Sequence, residues 1–347
     1  MKFAILGHLF PEAGITRNSI KSNPDYKLEM DSRIFRAKKE IYVSLADRET
    51  TGCLLGIMWT PREMMAALGD EKKILVLREI ILGAILYARL VLDIDVVQLG
   101  ALTTSVTSGG VYIQERIEAN LLKEKIYVNH GDSFTAAIVC QTVKKVAEKR
   151  GIDLDQSRVA IVGAYGIIGE AVSQIMASLA NSVVFIGRRK EKLASLSAKL
   201  ISQDDIGKKD FVFTTNLGEI ANADIIITAT SHPTALLTSE HLKKGAVVVD
   251  VSQPANVSPK LCQERPDITR VDGGFVNNPL GFSFIPILPK EIIYACIAEV
   301  IMQALEEDKR DHVGSIDLDF LRETEKWAEK YGFTLNKLTN FGRPIVL

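Results

Sequence analysis

The segment Gly163-Ala164-Tyr165-Gly166-Ile167-Ile168-Gly169 places three glycines at GxxGxxG spacing. It follows the apolar run Arg158–Gly163 and opens the helically periodic stretch Ile167–Ala180. A strand, a glycine turn and a helix in that order let backbone approach a ligand closely. The helix start also offers main-chain N–H groups and a positive dipole end to a phosphate. This context predicts a dinucleotide pyrophosphate, and a glycine turn without a ligand is the alternative. The turn is one residue wider than GxGxxG.

An acid about 20 residues further on usually holds the ribose 2′-hydroxyl of NAD. Here that position reads Gly187-Arg188-Arg189-Lys190, with no acid. Arg188 and Arg189 suit a 2′-phosphate, so NADPH is the expected cofactor. The wider glycine turn also resembles a variant seen in NADP-dependent enzymes. A solvated basic helix start is the alternative, but cations there oppose the helix dipole. Thr230 and Ser231 follow a fourth strand, and Asp272-Gly273-Gly274 ends a sixth. All five are expected at the carboxyl edge of the sheet, toward the nicotinamide half of the cofactor. His232 and the turn Asp250–Pro254 face the same way, with ordinary loop chemistry as the alternative.

A parallel sheet must hold these turns. Short Val/Ile runs at Arg158–Gly163, Ser182–Gly187, Asp210–Thr214, Ala223–Thr230, Ala246–Val251 and Ile268–Asp272 alternate with helices at Ile167–Ala180 and Lys190–Ile201. That alternation predicts an α/β fold with a Rossmann-type doubly wound parallel sheet over residues 151–284. Before it, strands are expected at Lys2–Gly7, Ile41–Ala46, Cys53–Trp59 and Val96–Leu102, with helices at Arg62–Leu68 and Lys73–Leu92. Residues 1–130 are expected to form a second α/β domain, completed by 285–347. A connector helix over 131–150 follows the cap signal Gly131-Asp132-Ser133, and Leu318–Tyr331 reads as the last helix. The cleft between the domains is the expected site.

The chain has 347 residues and a net charge of −1, from 42 basic and 43 acidic side chains. That balance gives no general electrostatic case for nucleic acid. The greasy region Ile74–Leu102 is interrupted by charges and falls short of the ~18 apolar residues of a spanning helix, though contact with a membrane surface stays open. The N-terminus reads as a strand and not a signal peptide. Four widely spaced cysteines, Cys53, Cys140, Cys262 and Cys296, with no CxxC pair, read as reduced thiols of a cytoplasmic protein. No two histidines have metal-ligand spacing.

Cys296 lies in Glu291–Leu305, which reads as one amphipathic helix. Ile293, Cys296, Ile297, Val300 and Ile301 share its buried stripe, while Glu299 and Gln303 fall largely elsewhere. A mid-helix cysteine on such a stripe is ordinarily core. A nucleophile that carries an acyl group is the alternative. Neither a YxxxK arrangement after the fourth strand nor a Lys/Asp pair in the first domain competes for the role.

Across nearly its whole length the sequence resembles the long-chain acyl-[acyl-carrier-protein] reductases of cyanobacteria. The likeness runs through Phe3–Leu9 (FAILGHL), Gly131–Ala136 (GDSFTA) on to Cys140, Gly151-Ile152-Asp153, Val159–Ala164 with Ile168-Gly169, Asp272-Gly273-Gly274, Ala295–Glu299 (ACIAE) and Tyr331-Gly332-Phe333. The resemblance implies that Cys296 is the acyl-carrying nucleophile and that NADPH is the cofactor. It also implies a fatty acyl donor on acyl carrier protein or coenzyme A, and a fatty aldehyde as product. Phe134 and Asn278 stand where the family has histidines, and Asp250-Val251-Ser252 where it has DGG. Lys144, Lys145, Lys149 and Arg150 are the candidate patch for an acidic carrier protein, or simply a solvated helix face. Two other readings stay open at this level. One is a two-domain NADP-dependent dehydrogenase of a ketone or alcohol, and the other a non-enzymatic NADP-binding protein.

Overall fold

The computed structural model describes residues 1–119, 125–201, 209–232, 234–252, 254–285 and 288–347. Pro233 and Gln253, which belong to two of the expected loops, lie outside the described residues. The strands are β1 (Phe3–His8), β2 (Tyr26–Glu29), β3 (Ile34–Ala37), β4 (Ile41–Leu45), β5 (Arg48–Ile57), β6 (Val96–Leu99) and β7 (Tyr127–Asn129). There follow β8 (Arg158–Val162), β9 (Ser182–Ile186), β10 (Asp210–Thr214), β11 (Ile225–Thr228), β12 (Val247–Asp250) and β13 (Thr269–Asp272), then β14 (Phe275–Asn277) and β15 (Ile292–Tyr294). The helices are α1 (Arg17–Ser22), α2 (Pro61–Ala67), α3 (Glu71–Leu92), α4 (Leu102–Val106), α5 (Val111–Ala119) and α6 (Asp132–Arg150), then α7 (Ile167–Leu179), α8 (Lys190–Ile201), α9 (Pro259–Glu264), α10 (Ala295–Glu306) and α11 (Leu318–Tyr331).

The chain divides into two compact units. Unit 1 comprises Met1–Gly131, Asn278–Gly314 and Glu323–Phe333. Unit 2 comprises Asp132–Asn277, Ser315–Arg322 and Thr334–Leu347.

Unit 2 holds a six-stranded sheet in the order β10-β9-β8-β11-β12-β13, and every pairing is parallel. This is the doubly wound order 3-2-1-4-5-6, with its reversal between β8 and β11. Continuous apolar strands suit a sheet covered on both faces: Ile225, Ile226, Ile227, Val247, Val248 and Val249 are all fully buried. A charged cluster sits inside this unit. Arg270, 2% exposed, bonds Asp250 at 3.2 Å and Asp272 at 2.7 Å. Asp250 also accepts from Thr228 Oγ1 and from the main-chain N–H of Val257, and Asp272 from that of Gly342, so the buried charges are paired and hydrogen-bonded. The segment expected to act as a connector, α6, packs against α7 and β12 within this unit, with residues 133–140 all buried.

Unit 1 holds a mixed sheet in the order β2-β3-β5-β1-β6-β7, with β4 on β5. The strands β5, β1, β6 and β7 run parallel, while β2, β3 and β4 are antiparallel additions. The expected strand Val96–Leu102 stops at Leu99, because Gly100 and the positive-φ Ala101 turn the chain into α4. The expected strand at Cys53 begins earlier, at Arg48, where β4 pairs back onto it. No helix among the described residues is long and apolar enough to cross a membrane.

Candidate active site

In unit 2 the glycine turn joins β8 to α7. Gly163 has φ +90°, and a Cβ there would collide with the carbonyl of Ala229 at the end of β11. A side chain at Gly169 would collide with the Gly163 carbonyl, so only glycine lets the start of α7 pack against the turn. Gly166 is the N-cap and makes no side-chain cap, which leaves capping of the first turn of α7 to other partners. A close main-chain concavity at a helix start fits a pyrophosphate, whose oxygens accept what such a turn donates. Ala164 is fully buried, Tyr165, Ile167 and Ile168 are half-buried, and Arg188 and Arg189 are exposed beyond β9.

The other expected residues of this unit meet at the carboxyl edge of the sheet. Thr230 N–H donates to Ser252 Oγ at 3.0 Å, and Thr230 Oγ1 donates to Asn256 Oδ1 at 2.8 Å. Ser231 is exposed. His232 closes its own turn through Nδ1 and the Thr234 carbonyl at 2.8 Å. The Asp272 carboxylate is held by Arg270 and by the N–H groups of Phe341 and Gly342, so it fastens the chain end to β13. Gly273 packs under Val249, Val251 and Val139, with Gly274 beside Val251 and Thr135.

In unit 1, Cys296 departs from its expected surroundings. The helix does not begin at Glu291. Residues Ile292–Tyr294 are strand β15, and α10 starts at Ala295 with Tyr294 as an N-cap that makes no side-chain cap. Cys296 is therefore the second residue of the helix and not a mid-helix one. A thiol in the first turn sits at the positive end of the dipole, where the thiolate is favoured. The stripe is also revised. Glu299 and Gln303 are buried along with Ile297, Val300 and Ile301, while Cys296 is only half-buried. The helix is buried on nearly every side because it packs against β1, β5 and β6. Burial pushes the Cys53 thiol up to about 11 and raises that of Cys262. Neither of those cysteines lies in the first turn of a helix.

Gly131, at the end of β7, lies directly on Cys296. It has φ +73°, and a Cβ on it would stand 2.5 Å from the Cys296 Cβ. Its N–H donates to Asn129 Oδ1 at 2.5 Å. Asn129 Nδ2 in turn donates to Gln303 Oε1 at 2.7 Å, and Gln303 Nε2 bonds the carbonyls of Asp308 and Arg310. This chain of buried amides locks α10 to the end of β7.

Two histidines stand at strand ends in this unit, where no sequence motif points to them. His8 ends β1, is buried, donates from Nδ1 to the Leu9 carbonyl at 2.7 Å and stacks on Phe10. Burial lowers its pKa, so the ring is neutral at pH 7. His130 is pushed down to about 3 by burial and then by the nearby His312. The positions where the resemblance places histidines serve structure here. Phe134 is fully buried, and Asn278 spends its amide on the carbonyls of Phe282 and Lys290. Of the expected carrier patch, Lys145 is committed to the carbonyls of Leu335 and Asn336. Among the described residues no group of three or more His, Cys, Asp or Glu could hold a metal ion.

The topology and the glycine turn of unit 2 are those of a Rossmann-type domain, and the fold is of NAD(P)-dependent oxidoreductase type. Residues 145–272 match the family described as Shikimate / quinate 5-dehydrogenase. The chain is similar to the aminotransferase PigE of Serratia sp. (strain ATCC 39006), 27% identical over 72% of this chain and 29% of that protein. It is also similar to the long-chain acyl-[acyl-carrier-protein] reductase of Synechococcus elongatus, 27% identical over 51% of each. The chain thus spans about half or less of the length of these curated relatives. Among solved structures, L-tryptophan dehydrogenase from Nostoc punctiforme is 12% identical, with a TM-score of 0.41 over 95% of this chain and 80% of that one.

Proposed function

We propose that the protein reduces long-chain acyl thioesters, carried on acyl carrier protein or coenzyme A, to fatty aldehydes with NADPH through an acyl group on Cys296. The observation that carries this reading is the position of Cys296: half-buried, second in α10, and pressed against the main chain of Gly131. The likeness to the Synechococcus elongatus reductase supports the substrate class.

Cys296 Sγ, as thiolate, attacks the thioester carbonyl. A bond from Sγ to the acyl carbon forms, the bond to the carrier sulfur breaks, and the carrier leaves as a thiol after taking a proton. Main-chain N–H groups of the first turn of α10 stabilise the oxyanion that develops on the carbonyl oxygen. The Gly163–Gly169 turn cradles the cofactor pyrophosphate, Arg188 and Arg189 take the ribose 2′-phosphate, and Thr230, Ser231, Asp272, Gly273 and Gly274 border the nicotinamide. NADPH, when bound, supplies a hydride. Cys296 holds the acyl carbon until the C–S bond breaks, which frees the aldehyde and restores the thiolate. Each methylene of the acyl chain buried in unit 1 adds about 0.8 kcal/mol, so chain length is read without polar contacts.

Incubation of the pure protein with a long-chain acyl thioester and NADPH, with the aldehyde trapped as a hydrazone, tests the proposal. Aldehyde formed in step with NADPH loss is the expected result. No aldehyde, together with NADPH-dependent turnover of a ketone panel, would instead make the protein a carbonyl dehydrogenase.

A further inference from the structure

The residue that widens the glycine turn sends its side chain out of it. The Tyr165 ring lies over Gly187 just beyond β9, and any side chain at residue 187 would run into that ring. The phenol oxygen accepts the main-chain N–H of Arg189 at 2.9 Å. The Arg189 guanidinium stands 5.9 Å from the ring centroid. One side chain therefore ties the β8–α7 turn to the β9–α8 loop, which carries Arg188 and Arg189, both exposed. In this fold that loop faces the adenosine ribose. An exposed loop with two long cationic side chains loses much conformational freedom when it grips a ligand. A loop already fastened at its main chain loses less, and so binds more tightly for the same contacts.

We infer that Tyr165 is a positioning residue that selects for the 2′-phosphate by holding the arginine loop in place. The inference rests on the NADPH reading above and deepens it. Both arginines are matched to a phosphate and gain little from a 2′-hydroxyl. Loosening the loop therefore costs the phosphorylated cofactor more than the unphosphorylated one. A side chain with a purely structural role, or one touching the part both cofactors share, would weaken the two equally.

The test is calorimetric titration of the full-length protein with NADPH and with NADH, on wild type, Tyr165→Phe and the double variant Arg188→Ala/Arg189→Ala. Tyr165→Phe keeps the ring over Gly187 and removes only the acceptor of the Arg189 N–H. The Kd for NADPH should rise about three- to tenfold, the loss of one net hydrogen bond, while that for NADH stays within about twofold. The double variant should lose the preference altogether. Both constants come from the same sample, so a change in folded fraction does not move their ratio. If wild type prefers NADPH and Tyr165→Phe keeps the same preference, or binds both cofactors more tightly, the positioning role is overturned. If wild type binds NADH as tightly as NADPH, the NADPH reading itself falls, whatever Tyr165→Phe does.

Discussion

The main chain of Gly131 packs against Cys296 with no room for a side chain: a Cβ there would stand 2.5 Å from the Cys296 Cβ, 2.7 Å from its carbonyl oxygen and 2.8 Å from its Cα. Gly131→Ala would push the first turn of α10 away and add the strain of a non-glycine residue at positive φ. We expect a stability loss of about 1–3 kcal/mol. Acylation of Cys296 should slow about tenfold or more, because the thiol is displaced. Gly151→Ala is the control, since Gly151 has φ +65° and open space around it. It should show the strain in its melting temperature and leave acylation unchanged.

Asn129 transmits the position of β7 to α10 through Gly131 N–H on one side and Gln303 on the other. Asn129→Ala strands two buried partners and should cost about 1–3 kcal/mol. The rate of Cys296 alkylation by iodoacetamide, read by mass, should change in the same variant. An unchanged rate at a lowered melting temperature would mean that the amide chain only stabilises the unit.

Arg270 neutralises two buried carboxylates, so Arg270→Met leaves Asp250 and Asp272 facing one another's charge without a cation. Urea denaturation should show a loss of about 3–5 kcal/mol. The effect should shrink in Arg270→Met combined with Asp272→Asn, which removes one of the two stranded charges.

His130 sets an acid limit. Its pKa is near 3 in the folded protein, through burial and then His312, against an ordinary value of 6.5. The unfolded chain therefore binds the extra proton between those values. The stability is present in full above the unfolded pKa and is lost as the pH falls toward 3. Between pH 7.5 and pH 5 the loss from this group should be about 2 kcal/mol by urea titration, and His130→Gln should flatten that slope.

The sequence displays the parallel sheet of unit 2 clearly, because β8, β11 and β12 are runs of Val, Ile and Ala, with a polar residue only at one end of each, that a two-sided core would bury. The bounds of α11 are equally plain in the sequence, with Gly332 as its stop. Strands β2 and β3, short and partly polar, carry no such pattern, since they form the antiparallel margin of their sheet. The start of α10 was hidden for a different reason. Ile292 and Ile293 continue the apolar rhythm of the helix while belonging to a strand, and Tyr294 is not a residue type that announces an N-cap. Periodicity thus places Cys296 in mid-helix and inward, whereas it stands in the first turn. The contact between Gly131 and Cys296 joins distant stretches of chain. A glycine before Asp132-Ser133 reads locally as helix capping, and nothing in its neighbours reveals what presses on it.

Intact-mass spectrometry of the protein mixed with a long-chain acyl thioester, before and after NADPH, tests the central claim most directly. One acyl group should appear on wild type, map to Cys296, and discharge as aldehyde when NADPH is added. Cys296→Ala should stay unmodified while still binding NADPH. An acyl adduct of equal yield on Cys296→Ala, or aldehyde formation by that variant, would contradict the account.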